Sequence, residues 1–118
     1  MYKLSVIDND KLPFLKYIAS GEKKAEGRVS SEFVRNLKTG EKLLLFSGTK
    51  FVICNIKYLH FYDSCEDMLD TEGLENMVPF VDTNEQALKI YRSAEHLNKT
   101  RETKSGFLLR KILSSTSK

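Results

Sequence analysis

The pattern of apolar and polar positions breaks the chain into short elements. Residues 2–7 alternate, which predicts a first strand. Leu12, Leu15, Ile18 and Ala19 then recur at helical spacing. Asp10 is the expected cap of that helix, Pro13 is tolerated in its first turn, and Gly21 stands where it stops. Residues 23–29 read as extended but are unusually polar. Ser30 or Ser31 is placed to cap a short turn through Phe33, Val34 and Leu37, and residues 38–41 form a turn. Residues 42–46 are a near-continuous apolar strand, joined by a hairpin loop at 47–50 to a long strand over 51–62. One face of that strand, Val52, Cys54, Ile56, Tyr58, His60 and Tyr62, is the more apolar and is expected to face the core, its last three residues near a rim. Asp63 with Glu66 reads as a capping box into a helix with Met68 and Leu69. Thr83 with Gln86 is a second box, opening a helix with Ala87, Ile90, Tyr91, Ala94 and Leu97 on one face. Residues 106–113 close the order as a strand, and 114–118 read as a flexible C-terminal tail. Strands outnumber long helices and the central pair is a hairpin. The expected class is α+β, with a small, largely antiparallel sheet or barrel.

Composition narrows this picture. The 118 residues fit one domain, 1–113, and 41% hydrophobic with 30% charged residues is globular, not disordered. Cys54 and Cys65 are too few for a disulfide framework or a zinc cage, so no metal and no cofactor is expected. No apolar run approaches the ~20 residues of a membrane helix, and no secretory signal pattern opens the chain. The expectation is an intracellular protein, cytoplasmic or nuclear, with no membrane partner.

Net charge is only +3, but its distribution is uneven. From Asp63 to Glu75 there are six acids and no base. From Lys89 onward there are eight bases against two acids. A basic third beside an acidic lobe suits a polyanion on one face. An ordinary solvated surface gives the same pattern, and an acidic lobe that docks a basic protein is a further reading. The basic stretch 99–104 would add phosphate contacts to an RNA.

The candidate chemistry lies in two places. Simple alternation over 23–29 puts Lys24, Glu26 and Arg28 in one row, with Gly27 allowing close approach of a backbone or planar ligand. A charged edge strand protected against aggregation explains the same residues. Glu72, with Tyr58, His60 and Tyr62 before it, suits a base-reading rim, since carboxylates accept from exocyclic amines and aromatic faces stack on bases. A core rim with its polar tips in water is the plainer account. No nucleophile elbow, P-loop, dinucleotide fingerprint or metal-spaced cluster is present. His96 reads as a surface residue, so a hydrolase here would rely on Lys, Glu, Tyr or Ser.

Gly21-Glu22-Lys23-Lys24-Ala25-Glu26-Gly27-Arg28 resembles the G-x-K-x-x-E-x-R signature of the ASCH domain, the activating-signal-cointegrator homology family. The turn at 37–41, the stretch from Tyr62 through Glu72-Gly73 to Val78-Pro79, and the helix from Thr83 to Tyr91 are similar to later family motifs in the same order. The resemblance implies a PUA-like fold, a small mixed β-barrel with flanking helices, and a polar cleft that binds RNA or a modified nucleoside. Some small bacterial members deacylate N4-acetylcytidine through a Lys, a Thr and a Glu, and others have been described as ribonucleases. Carried over, the Lys falls on Lys23, the acid near Glu72, and the Thr on Glu26, which cannot replace it as nucleophile. The expectation is therefore a binding module acting as a monomer, with Lys23, Lys24, Glu26, Arg28, Tyr58, Tyr62 and Glu72 as its ligand residues. The alternative is a hydrolase of the same cleft with Lys23 and Glu26 or Glu72 as acid–base groups, Lys23 having a pKa lowered by desolvation. Placing Lys23 beside Glu26 and Arg28 requires a bulge in the 23–29 strand.

Overall fold

A computed structural model of the chain describes residues 1–29, 32–93 and 106–113. The expected caps Ser30 and Ser31, the helix positions Ala94 and Leu97, the basic stretch 99–104 and the tail 114–118 lie outside the described residues. In chain order the elements are β1 (Tyr2–Ser5), α1 (Phe14–Ser20), β2 (Ala25–Val29), α2 (Glu32–Arg35), β3 (Lys42–Ser47), β4 (Lys50–Tyr62), α3 (Cys65–Glu72), α4 (Leu74–Met77), α5 (Asn84–Ser93) and β5 (Gly106–Leu113). The α+β class holds. Five strands form one mixed sheet in the order β1-β3-β4-β5-β2. Only the β1–β3 pair is parallel.

The expected closed barrel is corrected. β1 and β2 are the two edges of the sheet, and no ladder joins them among the described residues. Laid flat, five strands would hold their edges about 19 Å apart. Yet the Arg28 guanidinium on β2 donates to the Ser5 carbonyl on β1. One side chain spans that gap only if the sheet curls until its edges face each other. The seam stays open because the charged side chain occupies the carbonyl that a neighbouring strand would have used.

The core lies inside the curl and under the helices. Val52, Cys54 and Ile56 of β4 are buried, as the alternation predicts, against Leu43 and Leu45 of β3 and Ile18 of α1. Beyond Ile56 the expected core face fails. The β4–β5 register shifts between Ile56 and Tyr58, leaving Lys57 as the extra residue of a bulge. Tyr58 and Tyr62 are half-buried and His60 is exposed. The bulge expected in β2 is absent: its register with β5 runs unbroken from Ala25 to Val29. The strand simply starts two residues later than alternation placed it.

Local chemistry moves two helix starts. α1 begins at Phe14, and Asp8 rather than Asp10 serves its first turn, Oδ1 accepting from the Lys16 N–H at 3.1 Å. Ser64 rather than Asp63 caps α3, its hydroxyl accepting from the Asp67 N–H. The Thr83–Gln86 box forms as expected, each side chain accepting from the other's backbone N–H. Gly27 lines the seam cavity with its backbone, but the space where a side chain would stand is closed. A Cβ there would sit 2.9 Å from Met68 Cε and 3.0 Å from Met77 Cε, so the missing side chain is filled by α3 and α4.

Candidate functional site

Lys23 precedes β2 and is fixed there by its own backbone, whose N–H donates to the Tyr17 carbonyl at 2.9 Å. The Lys24 N–H donates in turn to the Asn76 carbonyl. These two bonds turn the Lys23 side chain inward, where it has no exposure, and leave Lys24 exposed. Inside, Lys23 Nζ donates to the carbonyls of Ala25, at 2.7 Å, and Met77. It lies 3.5 Å from Glu26 Oε1 and 5.3 Å from the centre of the Phe14 ring. Glu26, itself buried, accepts on its other oxygen from Arg28 Nε at 2.8 Å. Lys23, Glu26 and Arg28 thus form one continuous row that ends on the Ser5 carbonyl across the seam.

A cavity of about 400 Å³ opens along this seam. Glu26 and Arg28 give it charge, and Val6, Leu12, Phe14 and Tyr91 give it apolar walls. Tyr91 carries the residue of the site that sequence reading missed. Its hydroxyl is buried with no hydrogen-bond partner among the described residues. Burial pushes its pKa well up, with the Glu26 carboxylate adding to the shift and Arg28 opposing it. On the sequence Tyr91 is one more apolar-face position of a helix, and nothing local marks its hydroxyl.

The other candidates gather at the end of β4. Glu72 of α3 has a side chain only 4% exposed. Its Oε2 accepts from the Tyr62 hydroxyl and lies 3.2 Å from His60 Nδ1. The Tyr58 ring stacks on His60 at 4.2 Å between centroids. Desolvation, and then the hydrogen bond to Glu72, hold the Tyr62 hydroxyl well above its ordinary pKa. His60 stands here with Tyr58 and Tyr62 beside Glu72, the grouping expected from the sequence, although it was not among the expected ligand residues.

Of the seven expected ligand residues, three join at the seam, three join His60 at the end of β4, and Lys24 joins neither. The two groups are linked through the segment after α3. Asn76 Nδ2 donates to the Glu72 carbonyl, while the Asn76 and Met77 carbonyls receive Lys24 and Lys23. Among the described residues no three His, Cys, Asp or Glu side chains are grouped as metal ligands would be, and no helix is long and apolar enough to cross a membrane.

No protein-family model matches the chain, and neither does any curated protein. Solved structures do. The crystal structure of hypothetical protein PH0355 superposes with a TM-score of 0.79 at 24% identity, over 95% of this chain and 97% of that one. The solution NMR structure of protein PF0455 from Pyrococcus furiosus gives 0.70 at 24% identity, over 96% of each chain. Likeness at this identity establishes a shared small α+β fold.

Proposed function

We propose that this domain is an RNA- or nucleoside-binding module of the PUA-like, ASCH type, with its cleft at the β1–β2 seam. The observation that carries the reading is Glu26. It is buried, it stands on the cavity wall, and it is gripped from both sides by Lys23 and Arg28. A carboxylate held between two cations keeps its direction. It is a ready acceptor for the exocyclic amine of a base. The Tyr91 hydroxyl adds a polar group that lacks a partner, and the apolar walls suit the faces of a base.

The hydrolase reading has less support. The Lys23 ammonium is turned into the protein and donates to two main-chain carbonyls. A group so committed acts through Glu26 and is a positioning residue.

The test is calorimetric titration with cytidine, N4-acetylcytidine, adenosine, guanosine and uridine. Amine-bearing nucleosides are expected to bind, uridine not to, and Glu26→Gln to weaken binding about tenfold or more. Equal binding by Glu26→Gln, or no binding by any nucleoside, overturns the reading. Mass spectrometry of the same samples reports turnover. Product that disappears with Glu26→Gln would favour the hydrolase.

A further inference from the structure

The larger cavity of the molecule, about 760 Å³, holds none of the charged row. It lies on the other side of the chain that walls the seam. Leu12 and Phe14 face the seam cavity, while Pro13 and Leu15 line the larger one. The two spaces are therefore divided by the chain at residues 12–15. Aromatic rings run between them. Phe80 meets Phe14 edge-on at 5.2 Å and Tyr17 tilted at 5.4 Å.

Tyr17, Phe51 and Phe80 line the larger cavity half-buried, and Phe80 also packs on the core. Around them stand Lys11, Lys16 and Lys50, all exposed. Asp8 and Asp10 share this rim. Asp8 is occupied, with one oxygen on the Lys16 N–H and the other 3.9 Å from Lys50 Nζ. Around the start of α1, Asn9 accepts from the Lys11 and Leu12 N–H groups, the Leu12 carbonyl from Phe14, and Asp8 from Lys16.

We propose that this cavity is a second subsite, which takes the nucleotides flanking the one held at Glu26, and that the ligand is single-stranded RNA rather than a free nucleoside. The proposal rests on the nucleoside reading above. Rings that stack without reading base edges, ringed by lysines that meet phosphates, are the chemistry of sequence-tolerant single-strand binding. The cavity beside Glu26 selects one base, and the larger one holds its neighbours without selecting them.

The experiment compares an RNA hexamer with its best-binding nucleoside, by titration at 50 and 200 mM salt. The variants are Lys11→Gln/Lys16→Gln/Lys50→Gln, which alters only exposed side chains, and Tyr17→Leu. The hexamer is expected to bind the native protein at least tenfold tighter than the nucleoside. In the triple variant that ratio should collapse toward one, and the logarithmic salt slope should flatten by about two, at roughly 0.7 per phosphate contact. Tyr17→Leu should lower the ratio without changing the slope. A nucleoside that binds as tightly as the hexamer overturns the second subsite and leaves the first. So does a triple variant that keeps the native ratio, or an acidic peptide of equal charge that displaces the hexamer as well as RNA does. If neither nucleoside nor hexamer binds, the nucleoside reading falls and the subsite falls with it.

Discussion

The two polar groups of this domain use the same parts in opposite ways. At the seam, Glu26 lies between Lys23 and Arg28, and the lysine side chain has no exposure at all. At the end of β4, Glu72 is just as buried, but its nitrogen partner His60 has half its side chain in water. In the first group Lys23 and Glu26 are enclosed and Arg28 is mostly so, and each needs the others. In the second the carboxylate is fixed by Tyr62 and the histidine is free to respond to solvent. Enclosure, not residue type, separates a committed network from an adjustable one.

The sharpest way to break this contrast is Lys23→Met. It leaves Glu26 and two carbonyls without their cation, so a loss of about 3–5 kcal/mol is expected in urea unfolding. A loss below about 1 kcal/mol would mean that the row is no more committed than a surface pair. Tyr62→Phe tests the other group. Removing one donor from a buried carboxylate that keeps His60 should lose about 1–2 kcal/mol. It also has a pH signature. The hydroxyl's pKa is raised in the folded state, so its contribution is complete below the unfolded value of about 10 and falls as pH climbs above it. Native protein should therefore weaken above pH 10, and Tyr62→Phe should weaken less steeply. Tyr91 is shifted in the same direction and keeps part of the slope in that variant. The smallest expected effect has the opposite sign. Tyr91→Phe removes a buried hydroxyl that lacks a partner among the described residues, so it should gain about 1 kcal/mol of stability while weakening nucleoside binding. A destabilised Tyr91→Phe protein would mean that the hydroxyl is already satisfied.

Much of the fold was legible because it depends on local pattern. The hairpin of β3 and β4, the Thr83–Gln86 box and the Gly21 stop each follow from a few adjacent residues. The errors share a cause. Alternation counts in twos and cannot register an inserted residue, so Lys57 turned the expected core face of β4 outward at Tyr58. Barrel closure depends on whether two edges far apart in sequence meet through backbone or through side chains. Arg28 decides that here, and no local pattern reveals it. At the site, the charged row was visible as an oddly polar strand, and its placement of Lys23 beside Glu26 needed only a later strand start. Gly27 looked like an opening for a ligand, but Met68 and Met77 fill it from other elements. Tyr91 stayed hidden for the same reason, because what surrounds its hydroxyl is set by elements that the sequence places elsewhere.

The strand that carries the charged row also has a history during synthesis. β2 pairs along β5, Ala25 with Arg110 and Val29 with Gly106, so its ladder partner is made about 80 residues later, a separation typical of slow, non-local folding. Until β5 leaves the ribosome, Glu26 and Arg28 have no finished sheet to hold them. The helix before them and the hairpin after them can form from neighbouring residues alone. The charged row is thus assembled by a late event, and a nascent chain stalled short of residue 106 would hold much of the scaffold without it.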